Sequence, residues 1–312
     1  SGNLFWNKWF KNRTLSNSKS MMEHFRDHGY DVRGTGKLFH HHERSIYSTY
    51  GYQADYGPFV YDGKNRVGHP PVPLPFREIG AVDGSFASLS DVPYANDTLK
   101  SSGWIYGGWG EVKSFRYVDE DNRDPTPDER NALWVRDQLN TLAKSPDSPF
   151  FLAVGFIRPH TPLHVPQRYF DLFPIDSVQT PVLKEEDNED THLKTVYDRN
   201  QKGFRYFRLI GESYTIQESG IRAFTQGYLA SVAAVDDAIG EVLAGLDAAG
   251  LADNTIVIIT SDHGWNMGEK DYLFKNSLWE ESTRVPLMIR LPNGPENGKV
   301  CNEAVSLIDL YP

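Results

Sequence analysis

The chain predicts an α/β fold, a mostly parallel sheet sandwiched by helices, and three observations carry that expectation. Stretches of helical periodicity alternate with short apolar runs. One run, Phe150-Phe151-Leu152-Ala153-Val154-Gly155-Phe156, is apolar throughout, as a strand covered on both faces must be. The polar residues suited to chemistry fall directly after such runs, where open α/β sheets bind their ligands. With 312 residues and 39% hydrophobic content, there is material for a sizeable core.

Ser18 to Asp27 sets Met21, Met22 and Phe25 at helical spacing, Gly29 stops the helix, and Tyr30 to Thr35 can run on as a short strand. From Tyr47 to Ser114 the chain is rich in Gly, Pro, Tyr and Trp and includes His69-Pro70-Pro71-Val72-Pro73-Leu74-Pro75, so residues 47–114 are expected to form a loop-rich insertion. Thr126-Pro127-Asp128-Glu129 supplies a cap, a first-turn proline and early acids that open a helix running to about Ala143, ahead of the apolar strand. Pro181 to Gly211 is charged and weakly periodic, and a surface excursion is expected. Gly220 to Ala249 carries the strongest helical signal, with Tyr228, Val232, Val235, Ile239 and Leu243 along one face and Gly250 at its end. Strands at Thr255 to Thr260 and Val285 to Leu291 complete the alternation, and no internal repeat is visible.

A net charge of −10, from 32 Lys and Arg against 42 Asp and Glu, argues against an electrostatic grip on nucleic acid or anionic lipid. An anionic substrate must therefore be held by a few placed cations. No apolar run approaches the roughly 20 residues that cross a bilayer, so a soluble chain without a membrane partner is expected. The single cysteine, Cys301, excludes an internal disulfide framework and a cysteine-based zinc site.

Three polar clusters follow predicted strands: Gly36-Lys37-Leu38-Phe39-His40, Arg158-Pro159-His160 and Ser261-Asp262-His263-Gly264. If the strands are parallel neighbours, the clusters converge on one cleft. Asp262 and His263 place a carboxylate and an imidazole side by side, where a divalent cation is the natural occupant. Lys37 and His40 can bring a fixed charge and a titratable ring into one pocket, and His160 adds a second proton donor. Lys275, between apolar neighbours in a loop leading to a strand, suits an anion ligand. Each has a plainer reading in isolation: Asp262 as a turn cap, His263 as a satisfied core histidine, Lys37 and Lys275 as solvated lysines, and His40-His41-His42 as a polar run.

Taken in order, Gly-Lys-x-Phe-His, basic-Pro-His after an apolar strand, Ser-Asp-His-Gly, and a Lys ahead of Arg284-Val285-Pro286-Leu287 resemble the sulfatases of the alkaline phosphatase superfamily. The likeness is greatest to iduronate-2-sulfatase-type members, in which His follows the metal-binding Asp, and it extends from Trp6 to Pro312. The resemblance implies an alkaline-phosphatase-like sheet and hydrolysis of sulfate esters, on a sulfated sugar or glycan, in a secreted, periplasmic or lysosomal setting. It implies that Asp262 and His263 ligate Ca2+, that Lys37 and Lys275 contact sulfate oxygens, that His160 contacts the sulfate or the leaving oxygen, and that His40 serves the nucleophile in proton transfer.

The family's nucleophile is a formylglycine made within Cys/Ser-x-Pro/Ala-x-Arg, and no such motif occurs here, since Cys301 sits in Lys299-Val300-Cys301-Asn302-Glu303. The paired aspartates that complete the calcium site are missing too. Residues 1–312 are therefore expected to be a catalytic domain incomplete at both ends, with the nucleophile upstream, a C-terminal subdomain downstream, and no activity as a fragment. Two alternatives stay open: a phosphodiesterase, phosphonate hydrolase or phosphatase of the same superfamily, and a non-catalytic binder of sulfated glycans.

Overall fold

The structure is a computed structural model that describes residues 18–39, 44–92, 103–107, 112–145, 147–192 and 200–311. Helix α1 (Met21–Asp27) opens on a reciprocal capping box between Ser20 and Glu23. It leads into β1 (Asp31–Gly36), and β2 (Thr49–Gln53) follows. The next stretch holds β3 (Phe59–Tyr61), β4 (Arg66–Val67), β5 (Phe86–Ser88) and β6 (Gly103–Ile105). Helix α2 (Pro127–Leu142), capped by the expected Thr126–Glu129 box, precedes β7 (Phe150–Gly155), β8 (Leu163–Val165) and α3 (Gln167–Asp171). Then come α4 (Lys202–Ser213), α5 (Gln217–Ala248), β9 (Val257–Thr260), α6 (Glu280–Thr283) and β10 (Leu287–Arg290).

The parallel sheet is β2-β1-β7, with Asp31 opposite Phe150 and Gly36 opposite Gly155, so β1 and β7 end at the same edge. Strands β9 and β10 pair antiparallel, Leu287 with Thr260, in a separate ladder among the described residues. One helical layer backs both ladders. Val135, Leu139 and Leu142 of α2 and Leu246 of α5 form a cluster against which Phe150, Leu152 and Val154 of β7 and Val257 of β9 all pack. A second cluster joins Phe76 and Phe86, Leu163 of β8, Tyr206 and Ile210 of α4, Phe224 of α5, and Trp265 and Phe274 beyond β9.

The loop-rich 47–114 region holds only short strands: β3 pairs with β4 and β6, β5 pairs in parallel with β8, and Val60, Leu89 and Trp104 cluster with Phe115. Two expectations need correction. The 181–211 excursion ends in α4, whose Gly203, Tyr206 and Ile210 are buried because this face packs on α5 and on the second cluster. Helix α5 buries Gly227, Ala230, Ser231, Ala238 and Gly245, whereas Val232 of the expected face is 40% exposed. Small side chains let neighbouring elements approach closely, and a search for large apolar residues passes over them.

Two histidines lie in this core. His164 is tied through Nδ1 to the Pro58 carbonyl at 2.8 Å and through Nε2 to Ser85 Oγ at 2.7 Å. Ser85 Oγ already accepts the His69 backbone N–H at 2.9 Å, so its own proton goes to His164 Nε2, and that ring is neutral with its proton on Nδ1. His69 is 1% exposed and neither of its ring nitrogens has a partner. Burial, helped by the Arg77 charge, pushes His69 down to about 4 and burial pushes His164 well below its ordinary value. Folded values below the unfolded one mean stability that is full above pH ~6.5 and lost as pH falls through that window. Lowering the pH from ~6.5 to ~4 should therefore cost about 3 kcal/mol through His69 alone. His69→Phe, which cannot titrate, should flatten the decline in denaturation midpoint, and an unchanged slope in that variant would contradict the assignment.

Candidate active site

At the carboxyl edge the chain turns out of β1 at Gly36, whose φ of +78° suits glycine, and the Lys37 N–H donates to the Gly155 carbonyl at 2.8 Å. The two strand ends touch: a Cβ on Gly155 would lie 2.1 Å from the Lys37 carbonyl oxygen. This contact holds Lys37 at the edge, where its side chain is 11% exposed and its Nζ lies 3.6 Å from Asp262 Oδ2.

Beyond β7, Asp128 on the first turn of α2 accepts the N–H groups of Ile157 at 2.8 Å and Arg158 at 2.9 Å. Arg158 is buried and turns inward, donating to the carbonyls of Gly57 at 2.7 Å and Tyr56 at 3.3 Å and sharing longer bonds with those of His160 and His164. It is a brace beneath the site and no part of its surface charge. The turn it supports presents His160, with the Tyr56 ring edge-on at 5.0 Å and the His263 ring at 6.4 Å between centroids.

His160 Nδ1 lies 2.7 Å from the Thr161 carbonyl, so that nitrogen carries the proton and Nε2 offers a lone pair. Burial, then the charges of Lys275 and Lys37, push this ring down to about 3. His160 thus offers an acceptor at Nε2 and must take up a proton there before it can donate one from that atom. An anion between the two lysines would favour that uptake by offsetting their charge.

After β9, Asp262 and His263 stand with Oδ1 and Nε2 3.7 Å apart. His263 Nδ1 is 2.9 Å from the Gly264 carbonyl, which again leaves Nε2 as the free lone pair, and that atom is buried without a partner. Burial raises the Asp262 carboxyl, but Lys37, His263 and Lys275 outweigh it and hold the value below the usual range. A carboxylate beside an unpartnered imidazole nitrogen fits two corners of a cation shell. Among the described residues no group of three or more His, Cys, Asp or Glu is placed to hold a metal ion by itself.

The loop carrying Lys275 is pinned from behind. Buried Asn266 accepts Ser277 Oγ at 2.9 Å and Ser282 Oγ at 2.6 Å, and its N–H donates to the Phe274 carbonyl at 3.1 Å. Burial and the Lys37 charge push Lys275 down to about 8, with Asp262 and Asp83 opposing.

Lys37, His160, Asp262, His263 and Lys275 are therefore neighbours, and His40, with His41 and His42, lies outside the described residues. Asp83, Tyr56 and Trp265 went unnoticed in the sequence. Asp83 accepts Thr161 Oγ1 at 2.7 Å and Tyr206 OH at 2.8 Å, and Trp265 sets its ring 6.5 Å from that of His160. An Asp-Gly pair in a Gly-rich stretch reads only as a turn, but Trp265, two residues after His263, could have been noticed.

The sulfatase family profile matches residues 11–312. The chain belongs to the sulfatase family. A sulfatase of Formosa agariphila is 32% identical over 93% of this chain and 50% of its own length, and iduronate 2-sulfatase of Mus musculus is 28% identical over 88% and 45%. The chain thus spans about half the length of these curated relatives. Among solved structures, phosphonate monoester hydrolase SpPMH from Silicibacter pomeroyi is similar in fold, with a TM-score of 0.53 at 19% identity, covering 89% of this chain and 53% of the other.

The Gly155 contact makes a direct test of how Lys37 is held. Gly155→Ala must push the Lys37 backbone away, at about 1–3 kcal/mol for an overpacked contact. Its denaturation midpoint should fall, and affinity for inorganic sulfate should weaken in the material that remains folded. Wild-type values for both would mean that the two strand ends do not touch as described.

Proposed function

We propose that this chain forms the anion-binding half of an active site that hydrolyses sulfate esters on a sulfated sugar, with Ca2+ and a formylglycine completing the site. The observation that carries the reading is that Lys37 after β1 stands 3.6 Å from Asp262 after β9, with His160 beside His263 and Lys275 close enough for the Lys37 charge to lower it. Lys37 and Lys275 set two ammonium groups in one cleft, with Asp262 facing them and Asp83 already engaged by Thr161 and Tyr206, which suits a tetrahedral anion rather than a neutral ligand. Membership of the sulfatase family and the likeness to an iduronate 2-sulfatase supply the substrate class.

In this reading Asp262 Oδ and His263 Nε2 hold the ion, which when bound would draw electron density from the sulfate oxygens, while the formylglycine supplies the nucleophile. Lys37 and Lys275 orient the sulfate and offset charge that builds on its oxygens. His160, protonated once the anion is in place, faces the leaving oxygen and can hand it a proton. His40 is proposed as the proton-transfer partner of the nucleophile. The formylglycine and the rest of the calcium shell are proposed to come from sequence outside these 312 residues, since no Cys/Ser-x-Pro/Ala-x-Arg occurs within them. A secreted, periplasmic or lysosomal location is proposed with it; no helix among the described residues is long and apolar enough to cross a membrane.

The 312-residue chain should leave a chromogenic aryl sulfate intact, and a longer protein carrying the oxidised motif should turn it over with calcium. Equal calcium-dependent turnover by both would place the nucleophile inside this chain and overturn the mechanism. In the longer protein Asp262→Ala should lower both calcium affinity and turnover, and Lys275→Ala chiefly turnover; full activity in both variants would contradict their roles.

A pH dependence follows from Lys275, whose value of about 8 is below that of an ordinary lysine. Its charged form is present below pH ~8 and lost above it, so affinity for inorganic sulfate, measured by calorimetry, should fall between pH 7 and 9. Lys275→Arg, charged throughout, should remove the decline.

A further inference from the structure

We infer that Lys202, held between Asp83 and the Phe274 ring, binds a second anionic group on the substrate, so that the site favours sugars carrying two charged substituents. This rests on the sulfate-ester reading and adds to it a residue that selects among sulfated sugars. Lys202 Nζ lies 3.5 Å from Asp83 Oδ2 and 5.3 Å from the centroid of Phe274. Phe274 directly precedes Lys275, and Asp83 bonds Thr161, which directly follows His160. Lys202 therefore stands one residue from two separate loops that build the sulfate site. Its charge is among those that lower Lys275, as expected of two ammonium groups sharing a cleft.

The anchor and the cation are built differently. Asp83 is 13% exposed and fixed by two hydroxyl donors, Thr161 Oγ1 and Tyr206 OH, so it cannot follow a ligand. Lys202 is 59% exposed. Its ammonium carries three donors, and the one contact to Asp83, at the long end of hydrogen bonding, leaves the others for a ligand. An open ion pair of this length contributes only about 0–1 kcal/mol to stability, so folding alone gives little reason to hold a lysine here. The Phe274 face beneath the ammonium limits its wandering and reduces the entropy lost on binding.

The test is calorimetric titration of the 312-residue chain with two probes: a hexosamine with one O-sulfate, and the same sugar with an added N-sulfate. The wild-type chain should bind the disulfated sugar about tenfold more tightly. Lys202→Ala should bind both probes alike, with affinity for the monosulfated sugar within about twofold of wild type, and Lys202→Arg should keep the preference. A preference that survives Lys202→Ala, or a wild-type chain that binds the monosulfated sugar and shows none, overturns the assignment while leaving the sulfate site intact. If the monosulfated sugar does not bind, or binds Lys275→Ala as well as wild type, the sulfate-ester reading itself has failed and this inference falls with it.

Discussion

The geometry of the site depends on a buried pair of charges beneath it. Asp128 is 6% exposed and Arg158 7%, and burial pushes the carboxyl up and the guanidinium down, each opposed by the other's charge. Neither could stay charged there without partners. Asp128 has the N–H groups of Ile157 and Arg158, and Arg158 has carbonyls from two segments, Tyr56 and Gly57 on one side, His160 and His164 on the other. The pair thereby locks α2, the end of β7, the 47–114 region and the His160 turn into one relation. Without the Asp128 carboxylate the N–H groups of Ile157 and Arg158 would be left unpaired in the interior, at about 1–3 kcal/mol for each.

Above this brace the charges are held out of their solution preferences. With Lys37 3.6 Å from Asp262, and Lys275 close enough for Lys37 to lower it, the cleft concentrates positive charge on a chain whose net charge is −10. His160 answers by staying neutral and Lys275 by loosening its proton. An anion between the lysines would offset only the part of each shift that their charges cause, while the larger part, burial, would remain.

Much of this was legible in the sequence, and the limits have physical causes. The Thr126–Glu129 box and the apolar run of β7 are local signals, and both elements form where they were expected. The clusters after β1 and β7 were legible because parallel neighbours end at the same edge, and the cluster after β9, in a separate ladder, is brought to them by the shared helical layer. Helix α4 was hidden because Lys202, Arg205, Arg208 and Glu212 dilute the apolar face that Tyr206 and Ile210 bury. The strands of the 47–114 region are two to five residues long, and two of them take partners from elsewhere, β2 from β1 and β5 from β8, which no local pattern encodes. Asp83 is the same case at the site, since its bonds reach Thr161 and Tyr206 across 78 and 123 residues.

The Asp262–His263 pair shows what the candidate site demands of the fold. A buried, unpaired polar atom costs about 1–3 kcal/mol, and His263 Nε2 is one. The ring is kept from turning by its Nδ1 bond to the Gly264 carbonyl, and Gly264 is itself fixed by its N–H to the Ser282 carbonyl at 2.8 Å. A Cβ on Gly264 would sit 2.0 Å from the Glu281 carbonyl oxygen, so only glycine lets this segment approach so closely. Ser282 also bonds Asn266, which holds the loop of Lys275. The same few buried contacts thus aim a bare nitrogen and place a lysine beside it. In the proposed reading a cation would complete this nitrogen, and the carboxylate 3.7 Å away would offset that cation's charge.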